Sequence, residues 1–471
     1  MSDFSLLRAE DRATFTQAFE SLAAAIAAGP TGPGPALAGR PEGLFVRATP
    51  TPLAEAVEEL LSEILPRAAR ADHPRAFGFV PAPASPISRL GDLLTSAFNP
   101  HAGAWPQAAG PLSVERALIR WMASAAGLPV TAGGLFVSGG SSANLTALVA
   151  AREDKLPEGR LRDGVAYVSG ETHASVQKAL RVIGVAADRV RVVATDDRLA
   201  MDVGELARAI AADRAAGLIP FVAVATAGST RAGAVDPLPE IADICARENV
   251  WMHVDGAFGA SALLSPAHRG LLEGIGRADS LAWDAHKWLF QTYGCGALLV
   301  RDEAALRRAF VIGPDYLQDA EPDEGDVNFW DLGPEMTRPA RALKLWLTLR
   351  TMGADAMGEA VAHGFRLAEW AEDEISGTPG WRVLSPARMA IVTFRFEEDG
   401  LDAETLDAVN RAAARRLLED GFAMVGTTWI SGVLGLRICA LHPEATERDM
   451  RETVRRLDRF ARNAAGLSAP R

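Results

Sequence analysis

The chain has 471 residues, 48% hydrophobic and 23% charged, a composition that excludes disordered and collagen-like proteins. Its 48 basic and 60 acidic residues give a formal net charge of −12, which argues against binding to nucleic acid or to an anionic membrane. The three cysteines lie far apart without metal-ligand spacing, so we expect no metal site and a reducing, cytoplasmic location. The N-terminus lacks an apolar signal segment, and no apolar run reaches the ~18 residues of a membrane-spanning helix.

The N-terminal part is predicted to form a helical arm. Helical spacing covers residues 5–28 and about 51–65, and a stretch rich in Gly and Pro at 28–43 separates the two. Three prolines between residues 81 and 86 are then expected to interrupt any regular element.

From a predicted helix at 113–126 to about residue 302, short apolar runs alternate with amphipathic helices. The candidate strands are 134–138, 165–169, 189–194, 219–226, 251–257, 280–286 and 296–302. This alternation predicts a parallel, doubly wound α/β sheet, in which ligands bind beyond the carboxyl ends of the strands. Helices are predicted next at 339–352 and 355–376, and a smaller α/β unit closes the chain, with strands at 389–397 and 433–441 and helices at 403–420 and 444–464.

The first motif is VSGGSSANL at 137–145, where a strand ends, two glycines allow close backbone approach and small hydroxyl residues open a helix. The N–H groups and dipole of such a helix can hold an anion. An ordinary capped helix start has the same sequence pattern, so this motif alone does not distinguish an anion site from a structural turn.

Two charged residues follow other predicted strands. Asp255, in WMHVDGAFGA, could cap a turn, or it could hold a heterocyclic nitrogen in its cationic form. Lys287, in DAHKWL, is one of only four lysines in the chain, and an apolar setting lowers a lysine pKa and suits Schiff-base chemistry. A surface lysine between two strands is the simpler alternative.

Two further turns carry candidate side chains. His173 follows the strand at 165–169 and could stack over a flat cofactor, although a histidine in a turn is often only structural. Thr226 opens the segment TAGST, which is rich in small and hydroxyl residues and follows the predicted strand at 219–226. Together, an anion cup, a stacking imidazole, an acid for a ring nitrogen and an amine are the parts that pyridoxal 5′-phosphate (PLP) requires.

At this point the sequence resembles the group II PLP-dependent amino acid decarboxylases, and within them the aromatic-L-amino-acid decarboxylase branch. The resemblance spans about residues 50–350 and rests on the order and spacing of several blocks. These are HPRAFGFVPAPASPISRLGDLL (73–94), SGGSSANLTALVAAR (138–152), HASVQKA (173–179), HVDGAFG (253–259), DAHKWL (284–289) and RALKLWLTLR (341–350).

The resemblance implies a role for each matching residue. Lys287 would form the Schiff base with PLP, Asp255 would pair with the ring nitrogen, and His173 would stack on the ring. The other cofactor-binding residues it implies are Gly140, Ser141 and Asn144 near the phosphate, Ala257 against the ring, Thr226 near the ring hydroxyl, and Asp284 and His286 beside the lysine. Phe79 and Trp105 are expected to form an apolar substrate wall.

Some positions differ from the family pattern. Val80, Pro81 and Ala82 replace its FPT segment, and Asp284 stands where many members have Asn. The loop at about 311–335 is expected to be mobile and to cover the active site of a partner subunit, and the stretch at 326–338, where family members carry a loop tyrosine, contains none. Phe329 occupies or neighbours that position, and Tyr316, the one tyrosine of the loop, lies before it.

The resemblance also implies an architecture and a set of possible reactions. The fold would be PLP-dependent fold type I, the α/β fold of aspartate aminotransferase, with a mostly parallel seven-stranded sheet. A helical arm (1–72), a large PLP-binding domain (73–352) and a small C-terminal domain (353–471) would form a homodimer. We expect decarboxylation of an aromatic L-amino acid to its amine and CO2. The alternatives are decarboxylation coupled to oxidative deamination, giving an aldehyde, and an aminotransferase or lyase reaction.

Overall fold

The computed structural model describes residues 12–36, 38–42, 48–80, 83–311 and 326–467. The helices are α1 (Arg12–Ala28), α2 (Leu53–Glu59), α3 (Pro86–Phe98), α4 (Trp105–Ala125), α5 (Gly140–Lys155), α6 (Ala174–Val182), α7 (Val203–Ala215), α8 (Leu238–Glu248), α9 (Ala285–Trp288), α10 (Glu303–Phe310), α11 (Leu343–Met352), α12 (Ala354–Gly377), α13 (Ala403–Glu419) and α14 (Glu447–Ala464). The strands are β1 (Ala76–Phe77), β2 (Gly133–Val137), β3 (Gly164–Ser169), β4 (Val190–Val193), β5 (Ile219–Thr226), β6 (Trp251–Asp255), β7 (Ser280–Asp284), β8 (Gly296–Val300), β9 (Trp381–Arg388), β10 (Ile391–Phe396), β11 (Met424–Ile430) and β12 (Val433–Cys439).

The larger sheet has seven strands in the order β2-β8-β7-β6-β5-β3-β4, which confirms the predicted mostly parallel α/β architecture. The strands β4, β3, β5, β6 and β7 pair in parallel, whereas β8 is antiparallel to both of its neighbours. Strand β8 is the one antiparallel strand among the seven of this sheet. Only the short helix α9 and a loop separate β7 from β8, and a parallel crossover needs about a dozen residues or more, usually with a full helix.

The smaller sheet has the order β1-β11-β12-β10-β9. The sequence predicted β10 and β12 but missed β9 and β11, whose runs mix apolar with polar residues. Strand β1 pairs in parallel with β11, with Ala76 opposite Met424, and Phe77 is fully buried in the core of this unit. The large domain was expected to begin at residue 73. Strand β1, just after that boundary, instead belongs to the smaller sheet.

Helix α3 was not predicted, because the prolines before it suggested an irregular segment. Pro86 occupies the first helical position, where its fixed φ is compatible with a helix, and Ser85 caps the helix by accepting the N–H of Ser88. Helix α4 begins at Trp105, well before the predicted start at residue 113, with a kink at Ala108.

Several predicted features lie outside the described residues. These are the first turns of the helix predicted from residue 5, Pro81, Ala82, Tyr316 and most of the loop at 311–335. Among the helices that the structure describes, none is both long and apolar enough to cross a membrane. The described part also contains no group of three or more His, Cys, Asp or Glu side chains able to hold a metal ion.

Candidate active site

A cavity of about 480 Å³ lies at the carboxyl ends of the central strands of the larger sheet. This is the edge where ligands bind in open α/β sheets. The cavity is lined by Phe79, Val80, Ser138, Gly139, Gly140, Ser141, Asn144, His173, Ser175, Thr230, Asp255, Ala257, Asp284, His286, Lys287 and Arg437. Candidate residues from four separate sequence motifs therefore meet in one place.

The turn between β2 and α5 forms a close-fitting cradle. Gly139 has φ 154°, and a Cβ there would lie 2.7 Å from the His286 ring. A Cβ on Gly140 would come within 3.0 Å of the Ala257 Cβ. The cradle therefore requires glycine at both positions, and the N-terminus of α5 faces the cavity as the sequence predicted. The Gly140 N–H itself donates to the Asp284 carboxylate at 2.8 Å.

Lys287 lies in the short helix α9, directly after β7, and its amine reaches the cavity. Its Nζ is 3.5 Å from the Asp284 carboxylate, which is itself 1% exposed. His286 stands on the other side of Asp284, also at 3.5 Å, and its Nδ1–H donates to the Cys295 carbonyl. Burial lowers the pKa of His286, which leaves its Nε2 as an acceptor in the neutral ring.

Asp255 ends β6 and lies at the floor of the cavity. Its Oδ2 accepts the amide N–H of Asn144 at 3.0 Å, and its Oδ1 accepts the Ala257 backbone N–H at 3.2 Å. Both oxygens of this carboxylate therefore accept an N–H group. Asn144, one turn into α5, lines the same cavity as Gly140 and Ser141 and contacts Asp255.

His173 is the N-cap of α6, and this role fixes its ring. Its Nδ1 accepts the Ser175 backbone N–H at 3.3 Å and lies 2.8 Å from the Ser175 hydroxyl. Because a backbone N–H only donates, Nδ1 is unprotonated, and the neutral ring carries its proton on Nε2.

Three of the predicted site residues do not line this cavity. Thr226 donates its backbone N–H to Asp236, and its buried hydroxyl has no partner within the described part of the chain. Trp105 packs against the core at the start of α4, with its backbone N–H on the Asn328 side chain. The expectation that Trp105 forms part of the substrate wall is wrong for the cavity of its own subunit.

Phe329 was expected in a mobile loop over the site, and the structure corrects this. It lies in a 3-10 turn, Phe329–Leu332, and its side chain is 2% exposed. The Arg338 guanidinium lies 5.3 Å from its ring centroid. The side chain is therefore buried away from the cavity that Lys287 and Asp255 line.

Arg437 lines the cavity but lies outside all the sequence motifs, so the sequence analysis did not identify it. It projects from β12 of the smaller sheet and donates to the Thr230 carbonyl at 2.8 Å and the Gly78 carbonyl at 3.0 Å. A charged residue inside the apolar run VLGLRICAL was the available signal. Its significance depends on the packing of the small unit against the large one.

The residues present fit PLP. The glycine cradle at the start of α5 suits a phosphate, Asp255 suits a protonated ring nitrogen, and Lys287 can bind the aldehyde carbon. The buried Thr226 hydroxyl and the Asp284 Oδ1 atom have no hydrogen-bond partner in the described residues. Both atoms can therefore still form a hydrogen bond with a bound group. Cationic, anionic and apolar groups thus stand where the corresponding parts of the cofactor would need them.

Comparisons with known proteins agree with this geometry. An aromatic-L-amino-acid decarboxylase of Bacillus atrophaeus is 40% identical over 83% of this chain and 82% of its own length. A phenylacetaldehyde synthase of Arabidopsis thaliana is 30% identical over 84% of each chain. The crystal structure of Oryza sativa TDC with PLP and tryptamine superposes with a TM-score of 0.90 at 29% identity, covering 98% of this chain and 99% of that one. The pyridoxal-dependent decarboxylase conserved domain matches residues 44–397, and the chain therefore belongs to this family of PLP-dependent decarboxylases.

Proposed function

We propose that this enzyme removes the α-carboxylate of an aromatic L-amino acid as CO2 and releases the corresponding amine. The observation that carries the proposal is the meeting of Lys287, Asp255 and His173 in one cavity beside an apolar wall. That wall is formed by Phe79, which is 57% exposed, and by Val80, which is buried. The Bacillus and rice relatives, named for aromatic substrates or their product, support an aromatic side chain.

PLP, when bound, supplies a π-system that delocalises the electron pair left behind as CO2 departs. Lys287 would hold the cofactor through its amine and would give way to the substrate amine. A carboxylate at Asp255 would bind the ring nitrogen, which favours the protonated ring and so a stronger electron sink. His173 presents its Nε2–H toward the cavity and can donate a hydrogen bond there.

Arg437 completes the recognition of an amino acid. It is a guanidinium at the cavity wall, with N–H groups left over after its two bonds to backbone carbonyls. A substrate carboxylate is attracted to this charge, while the substrate amine is directed to Lys287. The two ends of the amino acid are thereby distinguished, and the side chain is left to the apolar wall.

The test uses the purified protein with PLP and L-tryptophan, L-phenylalanine or L-tyrosine, with L-2,4-diaminobutyrate as the non-aromatic comparison. We expect CO2 and amine in equal amounts from at least one aromatic substrate, and none from the Lys287→Ala variant. A near-visible absorbance band that borohydride abolishes should be absent from the same variant. Formation of a keto acid without CO2 would instead indicate an aminotransferase.

One observation favours a second outcome, the oxidative release of an aldehyde. Of the tyrosines that the structure describes, neither lines the cavity: Tyr167 is buried on Asp213, and the Tyr293 ring lies 5.7 Å from the ring of His286. A site in which no phenol protonates the substrate carbon would let oxygen compete for the electron pair, and Tyr316, outside the described residues, is the other tyrosine to test by Tyr316→Phe. The phenylacetaldehyde synthase relative supports the same alternative. Oxygen uptake and peroxide formed in step with CO2 would establish this outcome, and their absence would exclude it.

We also propose that the enzyme is a homodimer. Four apolar side chains on one face of α1, Phe15, Phe19, Leu22 and Ile26, are each at least 40% exposed, and Phe98 at the end of α3 is 81% exposed. Such a surface is typical of an obligate interface, which commonly exceeds ~2,000 Å². Light scattering at micromolar concentration should give twice the chain mass, and a fully active monomer would contradict the proposal.

The three cysteines are free and buried. Their state supports the proposal that the enzyme works in a reducing compartment such as the cytoplasm.

A further inference from the structure

A continuous chain of buried hydrogen bonds runs from the core of the larger sheet to the cavity. The Trp251 indole N–H donates to the Ser280 hydroxyl at 2.8 Å, and the Ser280 oxygen is 2.8 Å from His253 Nδ1. His253 Nε2 is 2.9 Å from the Asn144 side-chain oxygen. The Asn144 amide nitrogen then reaches both Asp255 at 3.0 Å and the Ser175 hydroxyl at 2.9 Å. We refer to Trp251, Ser280, His253 and Asn144 as the relay.

The relay is shielded from water throughout. Ser280, His253 and Asn144 are 0% exposed, and Trp251 is 5% exposed. His253 and Ser280 are partners in the register of β6 and β7, so their side chains lie on the same face of the sheet. None of Trp251, Ser280 and His253 is among the residues that line the cavity. Asn144 is the member of the relay that both lines the cavity and contacts Asp255.

The direction of every bond in the relay follows from its two ends. The Trp251 indole can only donate, so the Ser280 hydroxyl is free to donate onward to His253 Nδ1. At the other end an ionised Asp255 can only accept, so Asn144 must present its NH2 group there. The Asn144 oxygen then faces His253, which must carry its proton on Nε2. Both ends thus give the same tautomer of His253.

The charge state of His253 agrees with this assignment. Complete burial lowers its pKa to about 4, although the Asp255 charge acts in the raising direction. A neutral imidazole has one donor and one acceptor, which is the combination that Asn144 and Ser280 require.

The same direction continues to His173. Asn144 donates its second N–H to the Ser175 oxygen, so the Ser175 hydroxyl donates to His173 Nδ1. The Ser175 backbone N–H donates to that same nitrogen. Two independent donors on Nδ1 leave the proton of His173 on Nε2, the other ring nitrogen.

We propose that His253 is a positioning residue which, through Asn144, holds an N–H donor on the Asp255 carboxylate and adds a second donor, the Ser175 hydroxyl, to His173 Nδ1. This inference rests on the proposed function, since it assigns these hydrogen bonds to the two groups that serve the cofactor there. Without the His253 N–H, the Asn144 oxygen loses its donor and the amide is no longer held in one orientation. The N–H donors on Asp255 and Ser175 are then less well placed, which weakens the hold of Asp255 on the ring nitrogen.

The hydrogen positions can be observed directly. Neutron diffraction from crystals of the perdeuterated, PLP-loaded protein should place deuterium on Nε2 and not on Nδ1 of His253, and on Nε2 of His173. The Asn144 nitrogen should face Asp255. Deuterium on His253 Nδ1 alone, or the Asn144 oxygen facing Asp255, would overturn the proposal. This measurement is independent of turnover, so it stands even if the proposed reaction fails.

Variants test the consequence. His253→Met removes both hydrogen bonds at similar volume, and we expect about tenfold weaker PLP binding to the apoprotein and a similar loss of kcat, with KM within about twofold. His253→Gln can donate to Asn144 and accept from Ser280, so it should restore PLP affinity to within about threefold of the parent.

Trp251→Phe is the matched control. It removes one buried hydrogen bond from the same sheet but leaves Ser280 able to donate to His253, so PLP affinity should stay within about twofold of the parent. Equal losses of PLP affinity in Trp251→Phe and His253→Met would show a merely structural role. A His253→Met protein that binds PLP like the parent would also refute the proposal, and if it fails to fold, the neutron result decides.

Discussion

Replacing Arg437 by glutamine tests whether its guanidinium binds the substrate carboxylate. Of the five N–H bonds of an arginine side chain, the structure uses one for the Thr230 carbonyl and one for the Gly78 carbonyl. The Nε–H is buried without a partner among the described residues, so the second N–H of each terminal nitrogen is left for a carboxylate. Glutamine keeps a neutral donor for one of the two backbone carbonyls but loses the positive charge.

The size of the effect follows from the interaction lost. A hydrogen bond to a charged group contributes about 1.5–3 kcal/mol, and each 1.4 kcal/mol is a factor of about ten in affinity. We therefore expect Arg437→Gln to raise KM for the amino acid by roughly 10- to 100-fold. The product amine has no carboxylate, so its inhibition constant should change by less than about twofold.

The assay measures KM for the amino acid and the inhibition constant of the product amine in the parent, in Arg437→Gln and in Arg231→Gln. Arg231 is a suitable control, because it lies near Arg437 and pairs with Glu171 but does not line the cavity. If amine and amino acid lose affinity in parallel in Arg437→Gln, Arg437 only holds Gly78 and Thr230 in place. The assignment to the carboxylate would then be wrong.

Three further outcomes are expected. Asp255→Asn should still bind PLP but lose most of its turnover, because a neutral amide cannot favour the protonated ring by charge; a kcat within about threefold of the parent would contradict this. Phe329→Tyr should leave the ratio of amine to aldehyde unchanged, since Phe329 is buried outside the cavity, and a shift in that ratio would show that its segment rearranges over the site. Arg338→Met should lower the free energy of unfolding by about 3–5 kcal/mol, because it leaves the buried Glu115 carboxylate, now 2.7 Å from Arg338, without its partner. Chemical denaturation should show that adding Glu115→Gln recovers much of this loss.

Much of the fold could be predicted from the chain alone. Strand β5 was predicted with its observed ends, and the other strands of the larger sheet agree to within one or two residues. Apolar runs buried on both faces, alternating with amphipathic helices, specify such a sheet locally. The strand β8 was predicted but its antiparallel direction was not, because strand direction depends on the length of the connection and not on the pattern inside the strand.

The site was predicted in part for the same reason. Residues that directly follow strands, such as Asp255 and Lys287, must lie at one edge of a parallel sheet, so their motifs sufficed to bring them together. Asn144 was assigned to the phosphate because it lies in the glycine motif. Its partner Asp255 is 111 residues away along the chain, and only the crossing of α5 over β6 makes the contact.

By itself, the sequence determined the family, the cofactor and the residues whose chemistry the cofactor needs, because that information lies in short motifs of fixed spacing. The tertiary structure decided which side chains share a cavity and which way their hydrogen bonds run. It placed Arg437 of the small unit on the cavity wall and buried Phe329 in the core. Both outcomes depend on how elements distant in the chain pack together, and local spacing carries no information about such packing.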